Sequence, residues 1–167
     1  MAISDYLLEF EPKLKGESQD HQYKDAIEID SWSFTGHNAS THMHGSGGGA
    51  GKVSLGDLQC SKSIVDTATV TLFLNLCTGK HFSKAILHCR KKTGDDGNAL
   101  EYLTITMEDV TVSSISLGGH GSATGVSESF SIAFTQLKLK YTQQNKDGTK
   151  GSSSEEGWNV AQNKKAA

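Results

Sequence analysis

The chain has 167 residues and a mass of 17.9 kDa, enough for one domain whose core needs neither disulfides nor a structural metal. Eighteen glycines against one proline exclude collagen-like and proline-rich linker chains and point to many tight turns. With 16 basic against 19 acidic residues, a net charge of -3 and a pI near 6.1, nothing in the bulk charge attracts nucleic acid.

The first strand is expected from Ile3 to Phe10, followed by a lysine- and glutamate-rich connection, 11–24, without clear periodicity. The opening segment MAISDYLLEFEPKLKG carries acidic residues where a signal peptide needs a basic head and an unbroken apolar run. No apolar run in the chain reaches the length of a membrane span. The expectation is therefore a chain made and folded in the cytoplasm that leaves it, if at all, without a cleaved signal. Ile27 to Phe34 reads as a strand with Ile27 and Ile29 on one face and Trp32 and Phe34 on the other, a switch that calls for a bulge or bend.

Segment 35–51, TGHNASTHMHGSGGGAG, is too glycine-rich to hold a packed core. A phosphate-binding loop is excluded, because Ser46 stands where its first glycine belongs and Val53 follows Lys52 where Ser or Thr is required. His37, His42 and His44 have no Cys, Asp or Glu among them, so they make a poor metal site. The sequon Asn38-Ala39-Ser40 matters only in a glycosylating secretory pathway, for which there is no signal. A protein-contact loop is the favoured reading.

Val53 to Ile64 returns to strand character, with a change of face near Gly56-Asp57. Asp66 to Gly79, DTATVTLFLNLCTG, is the one stretch that reads as helix. Ala68, Leu72, Phe73, Leu76 and Cys77 share a broad face at about 100° per residue. Asp66 or Thr67 can cap its start, and Gly79 can take the left-handed position that ends it. Val70 and Leu74 project to the opposite side, which a helix lying between two surfaces explains. Ala85 to Lys92 is a strand with Ala85, Leu87 and Cys89 inward and His88 and Arg90 outward, and 93–98, TGDDGN, is a turn.

Leu100 to Leu117 has the clearest strand alternation. Leu103, Ile105 and Met107 share one face and Val110 and Val112 have the other parity, so Glu108-Asp109 marks a shift of register. Val126 to Tyr141 repeats the design, with Phe130, Ile132 and Phe134 followed by Leu137, Leu139 and Tyr141. Neighbouring long strands that change face partway suit a sheet that bends between layers or curls into a barrel. From Thr142 the chain is polar, apart from Gly157-Trp158-Asn159-Val160, where a short edge strand would anchor the terminus.

No catalytic, cofactor-binding or metal site is expected. Glu108 with Asp109 and His88 with Cys89 are sequence neighbours, which point to opposite faces of a strand and do not converge. No GxSxG run is present. Cys60, Cys77 and Cys89 form no CxxC pair and read as free thiols. A non-enzymatic β-barrel binding module, for single-stranded nucleic acid or a protein ligand, is one option, with Trp32, Phe34 and Lys52 on its surface. The other is a structural protein that associates with itself through flat Ser-, Thr- and Val-bearing strands and the unaccounted helix face.

The run GSGGGAGKVSLGDL (Gly45 to Leu58), the turn Gly79-Lys80-His81, EYLTITMEDVTVSSISLGG (Glu101 to Gly119) and the terminal Gly157-Trp158-Asn159 together resemble the Hcp family, the haemolysin-coregulated tube proteins of bacterial type VI secretion. The resemblance spans essentially the whole chain. It implies a mainly β fold of two curled antiparallel sheets forming a small β-barrel with one α-helix at its side. It also implies a single tube domain over 1–167, with an extended Gly-rich loop at 35–51 and a polar tail from about residue 142. Function in this reading is structural. Homohexameric rings stack into an inner tube within a contractile sheath, topped by a VgrG spike, and carry or chaperone effectors, with no nucleic acid and no membrane insertion.

The loop residues Thr41, His42, Met43, His44, Gly45, Gly47, Gly48 and Gly49 would then touch the adjacent ring. On the helix, Thr69, Val70, Thr71, Leu74 and Asn75 become the pore or ring-contact residues, with Thr69, Thr71 and Asn75 facing cargo. The implied location is the bacterial cytoplasm before firing and the extracellular space or a target cell afterwards.

Overall fold

The computed structural model describes residues 4–39, 51–92 and 99–166. Strands β1 (Ser4–Glu11), β2 (Ile27–Ile29), β3 (Ser31–Ser33), β4 (Gly36–Asn38), β5 (Val53–Leu55) and β6 (Leu58–Lys62) precede the helix α1 (Thr67–Thr78). After it come β7 (His81–Lys92), β8 (Ala99–Gly119), β9 (Val126–Ala133), β10 (Gln136–Gln144), β11 (Lys150–Asn159) and β12 (Lys164–Lys165).

The 21-residue strand β8 is the spine. Along its first half β7 pairs on one side, from Lys92 opposite Ala99 to His81 opposite Thr111. On the other side β10 and β9 follow one another in a common register, Tyr141 opposite Leu103, Gln136 opposite Glu108 and Ile132 opposite Val112. From there the sheet grows outward in three directions: β1 and β2 beyond β7, β11 and β12 beyond β10, and β6 and β3 beyond β9. Strands β4 and β5 form a separate two-stranded sheet.

The changes of face predicted from the alternation are present. Ile105 and Met107 enter the core, Asp109 takes a left-handed backbone (φ 52°), and Val110 and Val112 then enter the core on the opposite parity. The strand expected over 27–34 is likewise divided, with β2 pairing to β1 and β3 to β6. These switches do not produce the expected barrel. The structure has one open, branched ten-stranded sheet and one two-stranded sheet, neither closed into a barrel nor strongly curled. Closure requires hydrogen bonds between terminal strands as well as face-switching bulges. Here β2, β3 and β12 each end a branch with a single strand partner. The mainly β character with one helix holds.

The core joins Leu8 and Phe10 of β1, Phe82 and Leu87 of β7, Ile105, Met107 and Val110 of β8, and Phe130 and Ile132 of β9 with Ala68 and Leu72 of α1. Burying side chains of this size contributes about 1.5–3 kcal/mol each, which explains why the alternation was so legible.

A further region differs from the sequence expectation. His88 and Arg90, read as outward, are buried beneath a strap formed by residues 12–26. The strap closes on itself through Gly16 N–H to Asp25 O (2.7 Å) and Ser18 N–H to Ala26 O (3.1 Å), and it buries Leu14 and Ser18. A Cβ on Gly16 would stand 2.4 Å from the Ala26 carbonyl oxygen, so only glycine fits there.

Candidate assembly surface

Helix α1 begins with a capping box. Asp66 Oδ1 accepts from Thr69 N–H at 3.2 Å, and Thr69 Oγ1 accepts from Asp66 N–H at 3.0 Å. It ends at Gly79 (φ 65°), whose N–H donates to Asn75 O. Lys62 of β6 and Glu128 of β9 anchor the start from below. Lys62 Nζ lies 2.5 Å from Asp66 and 3.1 Å from Glu128, and the Thr69 hydroxyl donates to Glu128. This buried cluster draws Thr69 inward and sets the rotation of the whole helix about its axis.

The inward stripe therefore runs through Ala68, Thr69, Leu72, Asn75 and the partly buried Leu76. Phe73 and Cys77, expected on the buried face, lie outside it. Val70, Phe73 and Leu74 are 72%, 55% and 57% exposed, and α1 carries no charged residue. Of the helix residues singled out from the sequence, Thr69 and Asn75 are buried within the protomer, whereas Val70, Thr71 and Leu74 are open to contact. The loop residues Thr41, His42, Met43, His44, Gly45, Gly47, Gly48 and Gly49 lie outside the described residues.

A second bare surface is built by β3, β6, β9 and β8. Directly opposed residues form two rows across the strands, Ser33–Gln59–Ser131–Ser114 and Ser31–Ser61–Ser129–Ser116. Cys60, Phe130 and Ile132 point the other way into the core. The rows hold no charged side chain. Within the rows Ser61 Oγ bonds to Ser129 Oγ at 3.4 Å and Ser131 Oγ to Ser114, and Ser131 Oγ also bonds to the adjacent Ser113, whose hydroxyl donates to Asp57 at 2.7 Å. Serine at every second position of SESFS, within β9, was the sequence signal for this face.

The strap-covered region has the opposite chemistry. Arg90 Nη2 donates to Asp20 Oδ2 at 2.7 Å and Arg90 Nη1 to Asp20 Oδ1 at 3.2 Å, while the guanidinium sits 5.1 Å from the centre of the Tyr23 ring. Glu101 accepts from His88 Nδ1 (2.5 Å), the Tyr23 hydroxyl (2.5 Å) and Thr104 (2.8 Å). Burial pushes the Glu101 carboxyl up, but those hydrogen bonds outweigh it and hold the group at about 2. The hydrogen bond from Arg90 likewise overcomes burial at Asp20 and brings it to about 2. Burial, with the neighbouring Glu101 charge, raises the Tyr23 hydroxyl. All these groups are committed to one another.

Neither buried thiol is prepared as a nucleophile. Burial pushes the Cys60 and Cys89 thiols to about 12, and His88 serves Glu101 rather than Cys89. The acidic pair at the bend divides, Asp109 to His81 (3.0 Å) and Glu108 to Gln136 (3.0 Å). No group of three or more potential metal ligands occurs among the described residues, nor any helix long and apolar enough to cross a membrane.

Polar groups paired with one another beneath a strap, with an apolar helix face and a neutral hydroxyl sheet left bare, define a structural building block. The family model described as "Type VI secretion system effector, Hcp" matches residues 2–141. Protein hcp1 of Pseudomonas aeruginosa is 41% identical over 154 residues, covering 92% of this chain and 93% of its own length. The crystal structure of Hcp1 from Salmonella typhimurium superposes with a TM-score of 0.80 at 32% identity, covering 99% of this chain and all of that one. A structure of a type six secretion system protein superposes with a TM-score of 0.89 at 26% identity, covering 98% and 100%. The chain belongs to the Hcp family of type VI secretion and is a structural, non-catalytic component of the secretion tube.

Proposed function

We propose that this protein closes into a homohexameric ring whose copies stack, through the glycine-rich loop 35–51, into the tube expelled by the secretion machine. The observation that carries this reading is α1, a helix with one face in its own core and a second apolar, uncharged face left open at Val70, Phe73 and Leu74. A surface helix of a monomer has a polar outer face instead. Within the ring, the serine rows of β3, β6, β9 and β8 form the wall met by cargo, replacing the helix in that role because Thr69 and Asn75 are turned inward. The partners are the VgrG spike at the tip, the contractile sheath outside and secreted effectors inside. The protein waits in the bacterial cytoplasm and leaves with the tube.

Native mass spectrometry tests the reading. Six copies are expected for the wild type. Leu74→Asp is expected to lose the ring and keep the fold, because Leu74 is exposed in the protomer and an unpaired carboxylate buried at a contact costs more than the roughly 2–7 kcal/mol of an unpaired neutral polar group. Full ring mass in that variant would remove α1 from the contact, and a wild type that stays monomeric at every concentration would remove the ring.

A further inference from the structure

A directed chain of hydroxyls runs along one edge of the serine face. Asp57 lies in the turn between β5 and β6, which is pinned where Gly56 N–H donates to Thr35 O at 2.9 Å. Asp57 Oδ2 accepts from the Ser113 hydroxyl at 2.7 Å. A carboxylate offers no hydrogen and a hydroxyl offers only one, so the sense of the remaining bonds is fixed. Ser113 has given its hydrogen to Asp57 and therefore accepts from Ser131 at 2.7 Å, and Ser131 in turn accepts from Ser114. All the hydrogens point along the chain toward Asp57, and each bond polarises the next. Ser131 is buried, whereas Ser113 and Ser114 are exposed, and what these two turn outward is lone pairs. Serines without an anchoring carboxylate would have no such bias, because each hydroxyl rotates to suit its partner.

We infer that Asp57 sets the hydrogen-bond polarity of the cargo wall: acting through Ser113 and Ser131, it makes this stretch of the face accept only, so that the wall selects cargo surfaces rich in donors, arginine guanidinium above all. This rests on the serine rows being the wall met by cargo, and it names the class of cargo surface that the wall takes. A guanidinium carries donors and no acceptor, and it meets the outward lone pairs of Ser113 and Ser114 directly. A carboxylate brought to the same oxygens finds no hydrogen, and both sides lose water without gaining a partner. Asp57 is a positioning residue in this scheme, separated from Ser114 by the hydroxyls of Ser113 and Ser131.

Fluorescence anisotropy tests the inference with labelled pentaarginine, whose side chains only donate, and labelled pentaglutamate, whose side chains only accept. Titration at about 0.5 M salt, where the Debye length is about 4 Å, reads hydrogen bonding rather than long-range charge. The wild type is expected to prefer pentaarginine by about tenfold, the worth of one hydrogen bond to a charged donor. In Asp57→Asn the amide can donate to Ser113 and reverse the chain, and Ser113→Ala cuts the chain while keeping the carboxylate. Each is expected to bring the preference within about twofold while leaving the native mass and β-sheet circular dichroism unchanged. A preference that survives either substitution, or is absent from the wild type, overturns the directed chain. It leaves the wall standing where Ser129→Leu, which covers the face, weakens binding. Binding that Ser129→Leu leaves untouched takes place elsewhere and overturns the wall together with the inference.

Discussion

Two polar regions of the sheet use their polarity in opposite ways. Beneath the strap, charged groups are buried and paired: Arg90, only 3% exposed, holds Asp20, and Glu101 gathers His88, Tyr23 and Thr104. Along the serine rows of β3, β6, β9 and β8, the polar side chains are mostly exposed and uncharged, and several of their hydroxyls bond to one another. The first arrangement is specific and costly to disturb, because an uncompensated buried charge has no solvent to turn to. The second is tolerant, because a short hydroxyl side chain exchanges a neighbour for water at little cost. Polarity in the strap region therefore stabilises the protomer, and polarity on the serine face leaves a surface free for a partner.

Removing one member of the buried set is the hardest test of this contrast. Arg90→Ala should cost roughly 3 kcal/mol in urea-monitored unfolding, with the strap more accessible to protease. A loss below about 0.5 kcal/mol, the range of ordinary surface changes, would place Arg90 in the tolerant class.

Acid should act on the same set. Glu101 and Asp20 are held at about 2, below their ordinary values of 4.5 and 3.8, so their protonated forms are disfavoured in the folded state. Their contribution is complete above the unfolded values and is lost as pH falls toward 2, by up to about 3 kcal/mol for Glu101. Urea midpoints measured from pH 6 to pH 2 should therefore fall, and Glu101→Gln should flatten that fall. An equally steep profile in the variant would assign the acid sensitivity elsewhere.

Smaller changes are expected at the helix anchor and smallest on the serine face. Thr69→Ala removes the reciprocal cap and the donor to Glu128, at a cost of about 1–2 kcal/mol in thermal or chemical unfolding. Ser129→Asp should leave stability within about 0.5 kcal/mol of wild type and keep the ring mass, while making effector retention depend on salt concentration. Retention that stays indifferent to salt would separate this face from cargo.

Strand positions in the core were legible because burial imposes a period of two. Ile105, Met107, Val110 and Val112 announced both their strand and its change of face at Asp109. The helix ends were legible too, since Asp66 and Gly79 act through their immediate neighbours. The rotation of α1 was not, because Thr69 is drawn inward by Lys62 and Glu128, and Glu128 lies 59 residues away. The same limit applied to the strap. His88 and Arg90 alternate with core residues as outward side chains should, and their partners Tyr23 and Asp20 lie in a segment with no periodicity.

The sequence by itself determined a mainly β chain with one capped helix, an apolar surplus on that helix and membership of a tube-forming family, because these follow from local periodicity, capping chemistry and a family pattern spread along the chain. Only the tertiary structure decided that the sheet stays open and that the strap buries the charged groups, and it alone showed which face of α1 remains bare. Each of these depends on contacts between segments far apart in the chain, whose partners no local pattern specifies.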